Sequence, residues 1–384
     1  MRWGGAFALL GVLSLAIFEP LPVVTASQGP GYVSGCSSRV AQSANAEAAA
    51  FQRNSAISIA EELQQFSQAT RGYNASFDSV FDSWSFDNNC SVTLKSVNIV
   101  FQLKNNTGFV GYAVATEDPG VTHVVNLTLQ LRDPGNSPVF APNYSGYDFM
   151  GSADGTTKVY EALADWSIPN ASQPYSGGCE SSNGCDVSVW PGIVHCPRGV
   201  ATSTCSPEGV AQTGSDSELL CPQSGCSLSF PFAHLWYEFW PQQPQEVVCT
   251  GVAAYPFDSV QAYVLNQGWN GGSTSLWNIL ITDNTTHQSC SVTGHSFSIG
   301  LPLLAEFITE DPAGYTLSKF NQFGIAGNMY YSGSIRGIYT PYSNQWYYEW
   351  AMDACGYPNP VNVHLGAVNS ANTFTETWSN SVCT

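Results

Sequence analysis

The chain has 384 residues, with 11 Lys plus Arg against 29 Asp plus Glu, a formal charge of −18, 12 Cys and only 10% charged residues. So few bases remove the electrostatic attraction that non-specific nucleic-acid binding depends on, and they offer anionic membranes no basic patch. At 43% apolar residues the composition is that of a cored protein, with no run of about eighteen apolar residues to span a bilayer.

Charge this sparse also softens self-repulsion once carboxylates protonate, which suits an acidic working pH; an acidic protein of a neutral extracellular medium is the other reading. At the N-terminus Arg2, the apolar stretch Trp3 to Phe18, Glu19-Pro20 and the small-residue site Val24-Thr25-Ala26 predict a secretory signal peptide over residues 1–26. Export makes disulfides the expected state of the cysteines, which are even in number, form no C-x-x-C pair and include six between Cys179 and Cys226. Zinc competes for them, but its thiolate and imidazole ligands would be protonated in acid, so no metal or other cofactor is expected. N-x-S/T sequons stand at Asn74, Asn89, Asn105, Asn126, Asn143, Asn170 and Asn284.

Residues 38–70, rich in Ala, Gln and Glu, predict a long helix. Alternating Val97, Ile99, Phe101 and Leu103, then Val125, Leu127, Leu129 and Leu131, predict strands broken at Asn105-Asn106 and Asp118-Pro119. Asp133-Pro134-Gly135 reads as a boundary that closes a small α+β region over 27–140. That region holds 6 Lys plus Arg and 9 Asp plus Glu, while 141–384 holds 4 and 19. The asymmetry fits an inhibitory pro-segment whose cations pair with cleft carboxylates at neutral pH; a structural accessory region is the alternative.

From 141 to 384 short strand-like segments recur between Gly, Pro, Asn and Ser: Val159 to Trp166, Leu235 to Trp240, Val247 to Ala253, Val260 to Leu265, Ser275 to Ile281 and Leu303 to Thr309. No helix-length pattern interrupts them, which predicts an all-β sandwich or barrel. The sequence has no H-E-x-x-H, no G-x-S-x-G, and neither Asp-Thr-Gly nor Asp-Ser-Gly. What stands out are polar residues within apolar strands. Strand alternation puts Glu306 and Glu310 on one face, and Trp236, Glu238 and Trp240 on one face. Either these acids meet solvent, or they line an aromatic-walled cleft.

Val210-Ala211-Gln212-Thr213-Gly214, Leu235 to Pro241 and Leu304 to Pro312 resemble, in the same order, motifs of the glutamic peptidases or eqolisins. Tyr144-Ser145-Gly146, Trp166-Ser167-Ile168-Pro169 and Val189 to Ile193 match more weakly, and the resemblance spans about 141 to 384. It implies a two-sheet antiparallel β-sandwich, jelly-roll or concanavalin-like, and a secreted, monomeric acid endopeptidase that acts on polypeptides in an acidic extracellular milieu. By the same resemblance the catalytic pair falls on Gln212 and Glu310. Trp190 and Trp236 would wall the substrate cleft, with Asp216, Glu238 and Glu306 in support. Such a pair works without metal: the carboxylate takes a proton from attacking water and returns it to the leaving nitrogen, while the amide steadies water and oxyanion.

The sequence departs from the family pattern at Val194, where an acid is usual, and at His234, where Asp is common. The stretch between Gln212 and Trp236 is longer than usual and carries Cys221 and Cys226. The cluster Trp346 to Trp350 reads as core or edge-strand packing. A carbohydrate-binding or glycoside-hydrolysing sandwich using Glu238 and Glu310 is the competing function, since aromatic faces beside carboxylates suit sugars too.

Overall fold

Valine, isoleucine and aromatic residues at alternate positions favour a pleated, half-buried backbone, and they dominate the segments that become strands. The computed structural model describes residues 36–46, 70, 72–106, 108–119, 124–131, 144–150, 158–172, 185–196, 208–219, 232–267, 276–297, 300–310, 316–317, 320–331, 334–337, 347–350, 363–365 and 373–378. The expected signal peptide, the expected boundary at 133–135 and the stretch with Cys221 and Cys226 lie outside these residues.

Among the described residues one helix, α1, covers 36–46; it overlaps the beginning of the segment 38–70 expected to be helical, and 47–69 lie outside the described residues. The strands follow as β1 (Asn74–Phe86), β2 (Val92–Asn105), β3 (Gly108–Glu117), β4 (Val124–Leu131), β5 (Tyr144–Met150) and β6 (Val159–Ser167). Next come β7 (Cys185–Cys196), β8 (Gly209–Leu219), β9 (Phe232–Trp240), β10 (Val247–Val248), β11 (Ser259–Asn266), β12 (Leu276–Asp283) and β13 (Gln288–Ser296). The last are β14 (Leu301–Glu310), β15 (Thr316–Leu317), β16 (Phe323–Tyr331), β17 (Ser334–Gly337), β18 (Tyr347–Trp350), β19 (Val363–Leu365) and β20 (Thr373–Trp378).

Among the described strands, twelve form one sheet in the order β19-β20-β16-β6-β11-β12-β13-β1-β2-β3-β4, with β17 on β16. Eight form the other, β10-β9-β8-β7-β14-β5-β18, with β15 on β7. Pairing is antiparallel throughout except for the short β15–β7 contact. This is the expected two-sheet sandwich. The aromatic segment 347–350 is β18, which pairs with β5 at the end of the smaller sheet's described order.

The sheets bury a shared core. Val187, Val189, Ile193, Ala211, Leu235, Tyr237, Phe239 and Phe307 of the smaller sheet meet Ala162, Ala164, Trp166, Val260, Ala262, Val264, Trp277 and Ile279 of the larger. Buried polar groups bridge the layers, as the Trp166 indole donates to Ser215 Oγ at 2.9 Å and Ser145 Oγ to Glu376 Oε2 at 2.9 Å. The outer face of the larger sheet is covered by α1, whose Val40 and Ala44 pack on Trp84, Phe86, Leu163 and Leu280. Cys36–Cys90 fastens that helix to the β1–β2 turn, and Cys249–Cys290 joins the segment after β10 to β13. Cys185 and Cys196 are disulfide-bonded as well, so every described cysteine is oxidised. No helix among the described residues is long and apolar enough to cross a membrane.

The region 27–140, set apart by charge in the sequence, contributes β1–β4 to the larger sheet. Phe81 of β1 pairs with Val292 of β13, and the hairpins β1–β2, β2–β3 and β3–β4 extend the sheet from there. Phe81, Val100, Tyr112 and Val114 belong to the same core as Tyr237 and Phe239. Burying a large apolar side chain contributes roughly 1.5–3 kcal/mol, so these four make a sizeable share of a domain's net stability.

Candidate active site

The smaller sheet turns one face to the core, and on its other face acids accumulate. Backbone register lines them up in rows. Asp148, Glu306, Gly192, Gln212 and Glu238 follow one another across β5, β14, β7, β8 and β9. Two residues further along, Ile308 and Trp190 pair across β14 and β7, and Gly214 and Trp236 across β8 and β9. The next row is Glu310, Ser188, Asp216 and His234, followed by Asp186 opposite Glu218. On the far side of the amide row lie Val194, Val210 and Leu304, an apolar margin where Val194 is fully buried. An acid at 194 would be stranded there.

All seven residues singled out by sequence, Trp190, Gln212, Asp216, Trp236, Glu238, Glu306 and Glu310, thus share one face of one sheet. Asp216 and Glu238 are not solvated strand acids, being only 2% and 8% exposed. Gln212 and Glu310 stand on β8 and β14 with β7 and its Trp190 between them. Sequence reasoning missed Asp148, Asp186, Ser188, Glu218 and Glu246. Asp186 and Ser188 alternate with Trp190 in C-D-V-S-V-W and were open to the same period-2 reading. Glu246 had no such signal, because β10 is only two residues long. It precedes Val247, which pairs with Tyr237, so alternation turns Glu246 to the acid-bearing face.

Specific contacts fix the side chains. The Gln212 amide Nε2 donates to Glu238 Oε2 at 2.5 Å, and Gln212 Oε1, buried, has no hydrogen-bond partner among the described residues. The Trp190 indole donates to Glu310 Oε2 at 2.9 Å, and the Trp236 indole to Asp216 Oδ1 at 2.7 Å. Trp190 and Trp236 both crowd Gly214. A Cβ there would lie 2.7 Å from Trp190 Cβ, 2.7 Å from Trp236 Cζ2 and 2.5 Å from the Val189 carbonyl, which gives a packing reason for the glycine of Q-T-G. Gly146 has its own reason: at φ +147° it brings β5 against β14, where a Cβ would collide with the Phe307 carbonyl.

Burial and mutual repulsion push the acids toward the neutral form. Glu238 rises to about 7, chiefly by desolvation, against the opposing pull of its Gln212 bond. Glu306 is raised well above the ordinary carboxyl range by burial and then by Asp148 and Glu310. Glu246 is raised likewise, by burial and then by Asp216, Glu238, Asp186 and Glu310. Glu218 rises to about 6 through burial, partly offset by His234. For His234, burial favours the neutral ring, but the hydrogen bond and charge of Asp216, with Glu218, outweigh it and raise the imidazole.

His234 Nε2 lies 3.2 Å from Asp216 Oδ2 and its Nδ1 3.2 Å from Glu218 Oε1. These three residues offer ligand-type atoms within 4.8 Å of one another. Both ring nitrogens face carboxylates, however, so the geometry is that of an ion-pair clamp, with the imidazolium bridging two acids. The Asp more usual at 234 would add a third carboxyl; histidine supplies the counter-charge.

A model of the peptidase A4 family matches residues 142–334. Thirteen solved chains match the structure. One is a crystal structure of scytalido-glutamic peptidase with a transition state analog inhibitor, 18% identical, covering 62% of this chain and 98% of that one at a TM-score of 0.43. No curated protein matches the chain.

Proposed function

Because the chain belongs to the peptidase A4 family, we propose that it is a secreted acid endopeptidase in which Gln212 and Glu310 activate water against a peptide carbonyl. The observation that carries this reading is the shared face: an amide and a carboxyl on β8 and β14, flanking Trp190 of the strand between them. Opposite faces would have ruled the pair out.

Each contact has a use in the reaction. Trp190 orients Glu310 through Oε2, and the carboxylate takes a proton from water as the water oxygen attacks the carbonyl carbon. The same carboxyl then returns that proton to the departing amide nitrogen as the C–N bond breaks. Glu238 anchors one N–H of Gln212 and so fixes the rotamer, while the second N–H and the Oε1 are available to the oxyanion and the water. Acid favours this arrangement. Glu238, Glu246 and Glu306 are neutral there, so Glu310 can carry the base's charge without an array of neighbouring anions.

The polypeptide substrate, an extracellular site of action and a monomeric state belong to the same proposal. Incubation of denatured protein with the purified enzyme at roughly pH 2–4, where an ordinary Glu titrates, tests it. Cleavage is expected to persist in the presence of an inhibitor of aspartic dyads and to vanish in Gln212→Ala and in Glu310→Gln. A rate maximum above neutral pH, or full activity in either variant, overturns the mechanism.

A further inference from the structure

Loop 241–246 joins β9 to β10 and carries one acid of the site at each flank, Glu238 before it and Glu246 at its end. The contacts that hold this loop come largely from outside the smaller sheet. Gln243 Nε2 donates to Asp78 Oδ2 at 2.5 Å and to Ser79 Oγ at 3.3 Å, while its Oε1 accepts from the Phe239 amide at 2.8 Å. Gln102 Nε2 donates to Asp78 Oδ1 and to the Gln242 carbonyl, both at 2.8 Å. Tyr112 donates its hydroxyl to the Gln245 carbonyl at 2.8 Å, and Ser79 Oγ lies 2.7 Å from Tyr237 Oη, one residue from Glu238. Asp78 and Ser79 belong to β1, Gln102 to β2 and Tyr112 to β3. Asp78 and Ser79 are buried, and Gln243 is fully so. A buried polar network with its members paired fixes geometry more firmly than apolar contact alone.

We propose that residues 74–131 are a constitutive part of the working enzyme rather than a removable inhibitor, and that Gln243, clasped by Asp78, is a positioning residue for the Glu238–Glu246 corner. The strands concerned lie ahead of the family match at 142–334, yet they complete the larger sheet through β13 and supply most of the loop's side-chain anchors. Detaching them would strand Gln243 and the 242 and 245 carbonyls without their partners and expose the core side of Tyr237. The proposal rests on the peptidase reading only for its activity measurement; association of the two parts is measured independently.

The test uses the full chain with a sequence-specific cleavage site inserted between residues 132 and 140. After nicking, the two pieces are expected to co-elute in size-exclusion chromatography at both pH 3.5 and pH 7 (about one unit below and well above an ordinary Glu), with peptidase activity within about twofold of the uncut protein. Release of the N-terminal piece in acid together with undiminished or increased activity overturns the proposal. Gln243→Ala is expected to lower kcat about tenfold or more with a smaller change in KM. Gln243→Glu separates positioning from folding. When protonated it donates to Asp78 and accepts from Phe239 as glutamine does, so activity in strong acid is restored; ionised, it opposes Asp78, and the alkaline limb of the rate profile moves to lower pH. Wild-type pH profiles and kcat in both Gln243 variants also overturn it.

Discussion

Gln212 and Glu238, directly opposite each other on β8 and β9, are joined by a 2.5 Å amide-to-carboxyl hydrogen bond on the face that also carries Glu310. The bond makes Glu238 a holder of Gln212, a role that needs an acceptor and no charge. Glu238→Gln is therefore expected to retain activity in acid, with a loss of about tenfold or less, while Glu238→Ala loses more. Because Glu238 ionises only near 7 in the folded protein, the permanently neutral glutamine should also extend activity toward neutral pH. Rate profiles of the two variants check this. A glycosidase relying on Glu238 and Glu310 would instead lose nearly all activity in Glu238→Gln and little in Gln212→Ala.

Stability is expected to fall from acid toward neutral pH. Glu218 and Asp283 are raised to about 6, Glu161 to about 7 and Glu376 to about 8, each chiefly by burial. A carboxyl whose folded pKa exceeds its unfolded one binds more protons in the fold; its contribution is full below the unfolded value and is lost as pH rises through the folded one. His295, stacked on Phe239 and lowered to about 4 by burial, works in the other direction and costs stability as pH falls toward 4. Melting temperature measured from pH 3 to 8 should therefore peak near about 4 to 5 and drop by several degrees or more above it, each tenfold change in an ionisation constant being worth about 1.4 kcal/mol.

Gly214→Ala should destabilise by about 3 kcal/mol and abolish activity, since the methyl meets the Val189 carbonyl, the Trp190 Cβ and the Trp236 indole, which cannot all move aside. Denaturant unfolding gives the first quantity and peptide hydrolysis the second. A variant within 0.5 kcal/mol of the parent (about the range of an inert surface change) would contradict the packing described.

His234→Ala should destabilise by about 1.5–3 kcal/mol, the range of hydrogen bonds to charged groups, but only in a window of pH. Above the raised imidazole pKa the ring is neutral, and as pH falls through about 6 Glu218 takes up a proton and ceases to be a charged partner. The difference from wild type in urea midpoints should be largest between the folded Glu218 and His234 pKa values, at about pH 6 to 7, and smaller at roughly pH 3 and pH 9.

Much of the site was legible because strands have a period of two. Glu306 and Glu310, and Trp236 and Glu238, share faces by alternation alone, and the position of Gln212 followed from the order of three motifs. Two features were not legible. Glu246 reaches the face from beside a two-residue strand, too short for any pattern. The junction of β1 with β13 links Phe81 to Val292 across more than half the chain, and no local signal encodes which distant edge a strand will complete.

The two indoles on this face each donate to a carboxyl, Trp190 to Glu310 and Trp236 to Asp216. Indole emission responds to the electric field along the ring, so the protein carries its own optical gauge of charge at these acids. Difference spectra between the parent and single Trp→Phe variants would read the ionisation of each acid in the resting enzyme, without label or substrate.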